Sequence, residues 1–335
     1  GTETPPPFEN LRSMAEWEEI QALTITWRQF PGILKRITRA AAEETTVIIF
    51  SENPSDTENY LLSNAAGGPL NSLENVQIVD AESNSIWMRD YGANTVYGNR
   101  VDTLVLVDWI YNRPRPDDDV IPEVLADELG LELFTTTAAP NDLVNTGGNF
   151  MSDGQGNGFA SALILEENEP GNPYNVTAKS EEEIDDIMNA FQGIDPFIKM
   201  TPLPYDIINH IDMHMKLLDE ETLLVGFYPE GVADGPQINA NIDYVLNNFL
   251  TTSCPFLLSS GSSSCVTFFF IISFIWSGFL ACIKRLSLFT LITVSCSFSN
   301  SFLAINLSMF FLFKLAIRDK KQTPVEKNKK KKKIK

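Results

Sequence analysis

The segment His210–Leu218, HIDMHMKLL, holds the residues best suited to moving a proton. Read as a strand, it alternates at a period of two. His210, Asp212, His214 and Lys216 then share one face, and Ile211, Met213, Met215 and Leu217 share the other. The Cα atoms of His210 and Asp212 would lie ~6.5 Å apart, close enough for both to act on one small substrate. A neutral imidazole shuttles protons, and a neighbouring carboxylate can raise its pKa and bind a cation. The competing reading is a solvated polar face on an edge hairpin. Zinc would need His210 and His214 on one ion, but a strand spreads them over ~13 Å without a bulge. No metal and no cofactor are expected.

Three further motifs could hold a ligand. In Trp87-Met88-Arg89-Asp90-Tyr91-Gly92 a carboxylate sits among aromatics. Asp90 can accept two parallel hydrogen bonds from a guanidinium, and the Trp87 indole can face the delocalised cation; an Arg89–Asp90 pair in a plain turn is the alternative. Thr146-Gly147-Gly148-Asn149 has paired glycines, which allow close backbone approach to a ligand or simply make a turn. In Asn112-Arg113-Pro114-Arg115-Pro116 the prolines favour an extended backbone. Arg113 and Arg115 would then point to roughly the same side as a fork for a carboxylate, or stand as solvated surface arginines.

The elements that must position these groups alternate between short apolar runs and helical patterns. Ala22–Trp27, Val47–Phe50 and Val76–Val79 read as strands, with a helix over Phe30–Ala42. Ala93–Tyr97 and Thr103–Tyr111 form a hairpin through Gly98-Asn99. Asp117–Gly130 reads as a helix with an acidic first turn and a terminal glycine. Phe150–Leu165 reads as a hairpin over Asp153–Gly156. Ser180–Phe191 is a helix opened by a capping box between Ser180 and Glu183. His210–Leu218 pairs with Thr222–Tyr228 across an acidic turn, and Ile238–Phe249 is a last helix. Hairpins alternating with helices imply an α/β class of β-rich units with helices outside.

Charge divides the chain near residue 250. Residues 1–250 hold 12 basic and 42 acidic side chains, a net of −30, whereas residues 251–335 hold 13 basic and two acidic ones, a net of +11. The acidic part argues against nucleic-acid binding, which needs clustered cations, and suits either a plain soluble surface or attraction of cations such as arginine or a polyamine. All four cysteines, Cys254, Cys265, Cys282 and Cys296, lie beyond the break. Residues 266–283 are an uncharged run of about bilayer length, and the end KNKKKKKIK could meet anionic lipid. A membrane anchor is one reading of 251–335; translation of A/T-rich DNA in a wrong frame, or read-through of an unspliced stretch, is the preferred one. The opening Gly1 implies an earlier start, and residues 1–12, with Pro5-Pro6-Pro7, read as a linker-like extension.

In order, WMRDYG, NRPRP, TGGN, HID and LLDEETLLVG resemble the agmatine deiminase and Porphyromonas-type peptidylarginine deiminase family, over about residues 13–250. The resemblance implies a pentein-type α/β propeller of ββαβ-like units around a central site, here incomplete at its C-terminal end. It implies hydrolysis of a guanidino group to a ureido group plus ammonia, without a metal. Asp90 would bind the guanidinium with Trp87 lining the pocket, His210 would be the acid/base, and Asp212 would bind the guanidinium from the other side. Arg113 and Arg115 would meet the carboxylate of a C-terminal arginine, which favours peptidylarginine over agmatine.

The family's nucleophile is a cysteine near the C-terminus, and none of the four cysteines matches its motif. Without a thiolate there is no covalent intermediate, so this chain is expected to be inactive. The other readings are an agmatine deiminase of putrescine biosynthesis and a membrane-tethered pseudoenzyme that still binds arginine. The deiminase-like region is expected to be soluble, exported or not, with membrane attachment only if the tail is genuine.

Overall fold

A computed structural model describes residues 1–219, 222–226, 228 and 234–248. The four cysteines, the apolar run at 266–283, the basic end, and the Glu220-Glu221 part of the acidic turn lie outside the described residues. No helix among the described residues is long and apolar enough to cross a membrane.

The first third is a right-reading alternation of strand and helix. Strand β1 (Arg12–Ser13) comes first, then β2 (Ala22–Thr26), α1 (Pro31–Ala41), β3 (Thr46–Ser51), α2 (Pro54–Leu62) and β4 (Val76–Asp80). The strands β2, β3 and β4 pair in parallel, with Ile25, Ile49 and Ile78 in register. Helix α1 begins with Pro31 in its first turn, where a missing N–H costs nothing. Its fully buried Lys35 donates to the carbonyls of Tyr60 (2.9 Å) and Ser63 (2.7 Å), satisfying the end of α2. The sequence reading missed α2, because only Thr57 and Leu61 on it are buried and its apolar stripe is weak.

The short helix α3 (Met88–Tyr91) leads into a second sheet. Its strands are β5 (Asn94–Gly98), β6 (Thr103–Tyr111), β7 (Leu133–Thr136) and β8 (Val144–Asn145), with α4 (Ile121–Leu129) between β6 and β7. The expected β5–β6 hairpin is present, with Asn99 and Arg100 in the left-handed region at its turn. The chain's opening packs on this sheet rather than standing off as a linker. Thr2 exchanges backbone hydrogen bonds with Leu133 and Thr135, Phe8 meets Phe134 edge to face, and β1 pairs with β5.

Helix α4 starts at Ile121, not at Asp117. The acids ahead of it serve tertiary contacts. The buried Asp118 accepts hydrogen bonds from the amides of Asn84 (2.8 Å) and Ser85 (2.9 Å) and from the Ser85 hydroxyl (2.6 Å). Asp119 accepts from the Tyr111 amide.

The remainder comprises β9 (Met151–Ser152), β10 (Gly158–Ser161), α5 (Leu163–Asn168), α6 (Glu181–Gln192), β11 (Phe197–Met200), β12 (Met215–Leu217), β13 (Leu223–Val225) and α7 (Asp234–Asn248). The hairpin expected over Phe150–Leu165 is shorter, and its last residues turn into α5. The capping box of α6 is formed: the Glu183 amide donates to Ser180 Oγ, and the Ser180 amide donates to Glu183 Oε2. The expected strand His210–Leu218 is corrected, since Ile211–Met213 is a 3-10 turn and β12 begins only at Met215.

Among the described residues the strands form four separate sheets in a mixed α/β fold. Asp118→Ala strands the buried Ser85 amide and hydroxyl and the partly buried Asn84 amide. It is expected to cost at least ~2 kcal/mol, read as a lower urea midpoint with an unchanged slope.

Candidate active site

Asp90 sits on α3, on the crossing from the first sheet to the second. Below it, Asp118 fixes the Ser85 loop, and Tyr91 donates to the Ser85 carbonyl (3.0 Å) while meeting the Thr26 hydroxyl (2.6 Å). Trp87 is half-buried and packs against the apolar cluster around Tyr91 and Tyr111. Arg89 turns away from Asp90. Its Nε donates to the Gly147 carbonyl (2.9 Å), its Nη2 to the Phe150 carbonyl (2.8 Å), and its Nη1 pairs with Glu16. Glu16 also pairs with Lys216, so the polar end of β12 is tied to the N-terminal segment.

The paired glycines serve packing within the protein. A Cβ on Gly147 would overlap the carbonyl oxygen of Arg89. On Gly148 it would strike the His210 ring and lie 2.7 Å from Asp90 Oδ1. Next to them, buried Asn149 accepts from the amides of Ser161 (2.8 Å) and Ile211 (3.2 Å), and the Ser161 hydroxyl donates to the Asn209 carbonyl. These bonds take the backbone groups a strand would have used for its ladder, which is why residues 211–213 turn. His210 is thereby carried to Asp90, with Nδ1 3.6 Å from Oδ1. The shared face expected of His210 and His214 is lost: buried His214 lies against Gly226, and neither of its ring nitrogens has a partner among the described residues.

Burial sets the protonation states. Desolvation pushes Asp90 up to about 6, against the charges of Arg89 and Arg113, the Thr146 hydroxyl and the Gly148 amide. Desolvation, reinforced by Arg113 and Arg89, pushes His210 down to about 3, so the ring is neutral at physiological pH, with its Nε2 buried and unpartnered. Asp212 is exposed by surface area, yet enough protein crowds its carboxyl to raise it to about 7. Desolvation dominates, Arg89 opposes it, and Asp90 and Asp206 add to it. Asp90 and a neutral imidazole thus meet, with Asp212 within electrostatic reach of Asp90. A bound cation would restore both carboxylates to their charged form, and the imidazole could exchange a proton with it.

The Asn112–Pro116 segment bends rather than running extended, because the Arg115 amide donates to the Arg113 carbonyl (2.8 Å). The two arginines consequently part. Half-buried Arg115 donates to Ser85 Oγ (3.3 Å) and the Tyr111 hydroxyl (3.2 Å). Exposed Arg113 makes no hydrogen bond among the described residues, and its charge acts on Asp90 and His210. Sequence reasoning missed Asn149, Glu16 and Asp118. Asn149 stood in a motif already singled out, but a side chain that bonds to two distant amides leaves no local pattern.

The family described as Porphyromonas-type peptidyl-arginine deiminase matches residues 12–245. Among solved structures, the chain is similar to a C. jejuni agmatine deiminase variant with substrate bound (TM-score 0.57, 19% identity, 71% of this chain and 71% of that one). It is similar also to an Enterococcus faecalis agmatine deiminase (TM-score 0.58, 16% identity, 72% and 69%). A Porphyromonas gingivalis protein described as an arginine deiminase matches with TM-score 0.58 and 17% identity, over 70% and 71%. At these identities the likeness is one of fold.

Two outcomes follow from this packing. Gly148→Ala should destabilise the protein by about 1–3 kcal/mol, read as a lower urea midpoint, while leaving helix content intact by circular dichroism, because the clash falls on Asp90 and His210. Asp90 has a folded pKa raised above its unfolded value, so its charge is a cost that is absent below pH ~4 and fully present above pH ~6. Asp90→Asn should therefore stabilise the protein on the order of 2 kcal/mol at pH 8 and not at all at pH 4, as read by thermal unfolding.

Proposed function

The chain belongs to the Porphyromonas-type peptidyl-arginine deiminase family, and from that premise we propose that residues 13–250 form the guanidinium-binding part of a hydrolase that converts guanidino groups to ureido groups and ammonia. The observation that carries this reading is the meeting of His210 and Asp90 across Gly148, with Asp212 within electrostatic reach. In this reading Asp90 and Asp212 take the cation from two sides and Trp87 lines the approach. His210, neutral and with Nε2 free, accepts or returns the proton on the departing nitrogen. The four sheets are successive units of a pentein-type α/β propeller.

Arg113 is the arginine that would receive a substrate carboxylate, since it is exposed and without a hydrogen bond among the described residues, whereas Arg115 is engaged with Ser85 and Tyr111. That assignment favours a peptide ending in arginine over agmatine, which has no carboxylate. Residues 1–250 contain no cysteine, so the thiolate attack that begins the family's reaction has no agent there. The chain as written binds its ligand without turning it over.

Calorimetry and a colorimetric citrulline assay on the purified full chain test both halves. A C-terminal arginyl peptide should bind roughly tenfold more tightly than its amide or agmatine. Asp90→Ala or Asp212→Ala should weaken all three by roughly ten- to a hundredfold, and no ureido product should form. Product that disappears in Cys254→Ala would identify a nucleophile and overturn the inactivity. Equal affinity for peptide and amide would shift the reading to agmatine.

A further inference from the structure

Glu167, on α5, is a buried carboxyl beside the site that the proposed reaction does not use. It is 7% exposed, and no cation lies within ion-pair distance among the described residues. Its Oε1 accepts from Asn112 Nδ2 (2.7 Å) and from the Tyr174 hydroxyl (3.1 Å). Among the described residues its buried Oε2 has no partner, and neither has Oδ1 of the same Asn112. Two orphaned acceptors on an acid and an amide that already share one hydrogen bond are the arrangement a single proton repairs. Placed on Oε2, it can be donated to Asn112 Oδ1, closing a cyclic acid–amide pair. Asn112 directly precedes Arg113, and the Tyr174 hydroxyl also reaches the Asn112 carbonyl (3.4 Å). The Arg113 charge acts on Glu167 and Tyr174 on one side, and on Asp90 and His210 on the other.

We propose that Glu167 is a positioning residue that, through Asn112 and Arg113, sets the specificity of the site for ligands carrying a carboxylate beside the guanidinium. As a neutral acid, Glu167 locks Asn112 and leaves the Arg113 guanidinium to the ligand. As a carboxylate, it draws on the Arg113 charge and repels the ligand's own carboxylate. The groups facing it are Asn112, Tyr174, Arg113 and Glu166. Desolvation dominates their balance and raises Glu167 to about 7, with Glu166 adding and the other three opposing. Preference for the free acid is therefore present below pH ~7 and lost above it. This inference rests on the guanidinium-binding reading of the site.

The test is calorimetry on the full chain with an arginyl peptide and its C-terminal amide, at pH 6 and pH 8.5, for the native chain and Glu167→Gln. The amide reports the guanidinium end alone, so titration of Asp90 and Asp212 cancels in the ratio of affinities. The native ratio should be roughly tenfold at pH 6 and fall toward unity at pH 8.5. Glu167→Gln should hold roughly tenfold at both pH values, with amide binding unchanged as the check that the variant is folded. A native ratio that does not move with pH, or a Glu167→Gln ratio that moves as the native one does, overturns the role of Glu167 while leaving guanidinium binding intact. Failure of the native chain to bind either ligand overturns the reading beneath it. If Glu167→Gln proves unfolded, the native pH profile alone decides, and Tyr174→Phe, which removes one hydrogen bond to Oε1, should shift its midpoint upward.

Discussion

Backbone contact at Gly147-Gly148 is the constraint on which the rest of the site depends. Three pieces of chain from different parts of the sequence meet there: α3, the 146–149 turn and the segment after Asn209. Neither glycine has room for a methyl group, one because of the Arg89 carbonyl and the other because of His210 and Asp90. Close-packed interiors transmit such contacts rather than absorbing them, so the His210–Asp90 spacing is set by main chain. Asn149 then fixes the third piece by accepting from Ser161 and Ile211 at once.

Electrostatics follow from that packing. The cation next to the acids, Arg89, is consumed by two carbonyls and Glu16. Asp90 and Asp212 are consequently held in a crowded setting without an arginine or lysine paired to either among the described residues, and both carboxyls rise above their ordinary range. A protein that needed only stability would pair or replace them. Unpaired acids beside a neutral histidine are instead the usual form of a site kept at some cost to the fold, and in the proposed reading that site takes a cation.

The arginine pair divides the same way. Arg115 braces the Ser85 loop under Asp90, so its role is to hold the floor of the site. Arg113 makes no hydrogen bond among the described residues, and its charge acts on both Asp90 and Glu167. In the proposed reading, recognition of a second ligand group falls to this one exposed side chain.

The sequence alone determined most of the regular elements. β6 at Thr103–Tyr111, α1, the parallel strands before and after it, and the capping box of α6 all follow from local periodicity and end signals, forces that act within a few residues. It also determined which motifs carry the family resemblance, and that 1–250 lacks a thiol. Tertiary structure decided what local pattern could not reach. HIDMH alternates as a strand should, yet Asn149 and Ser161 bend it into a turn that separates His210 from His214. The acids before α4 look like a helix start, yet Asp118 is spent on Ser85. NRPRP reads as extended, yet it folds back, with Arg115 bonded to Ser85 and Tyr111 and Arg113 left exposed. For HIDMH and for the acids before α4 the deciding hydrogen bonds join residues dozens of positions apart, and a buried polar group must find its partner wherever the fold places one.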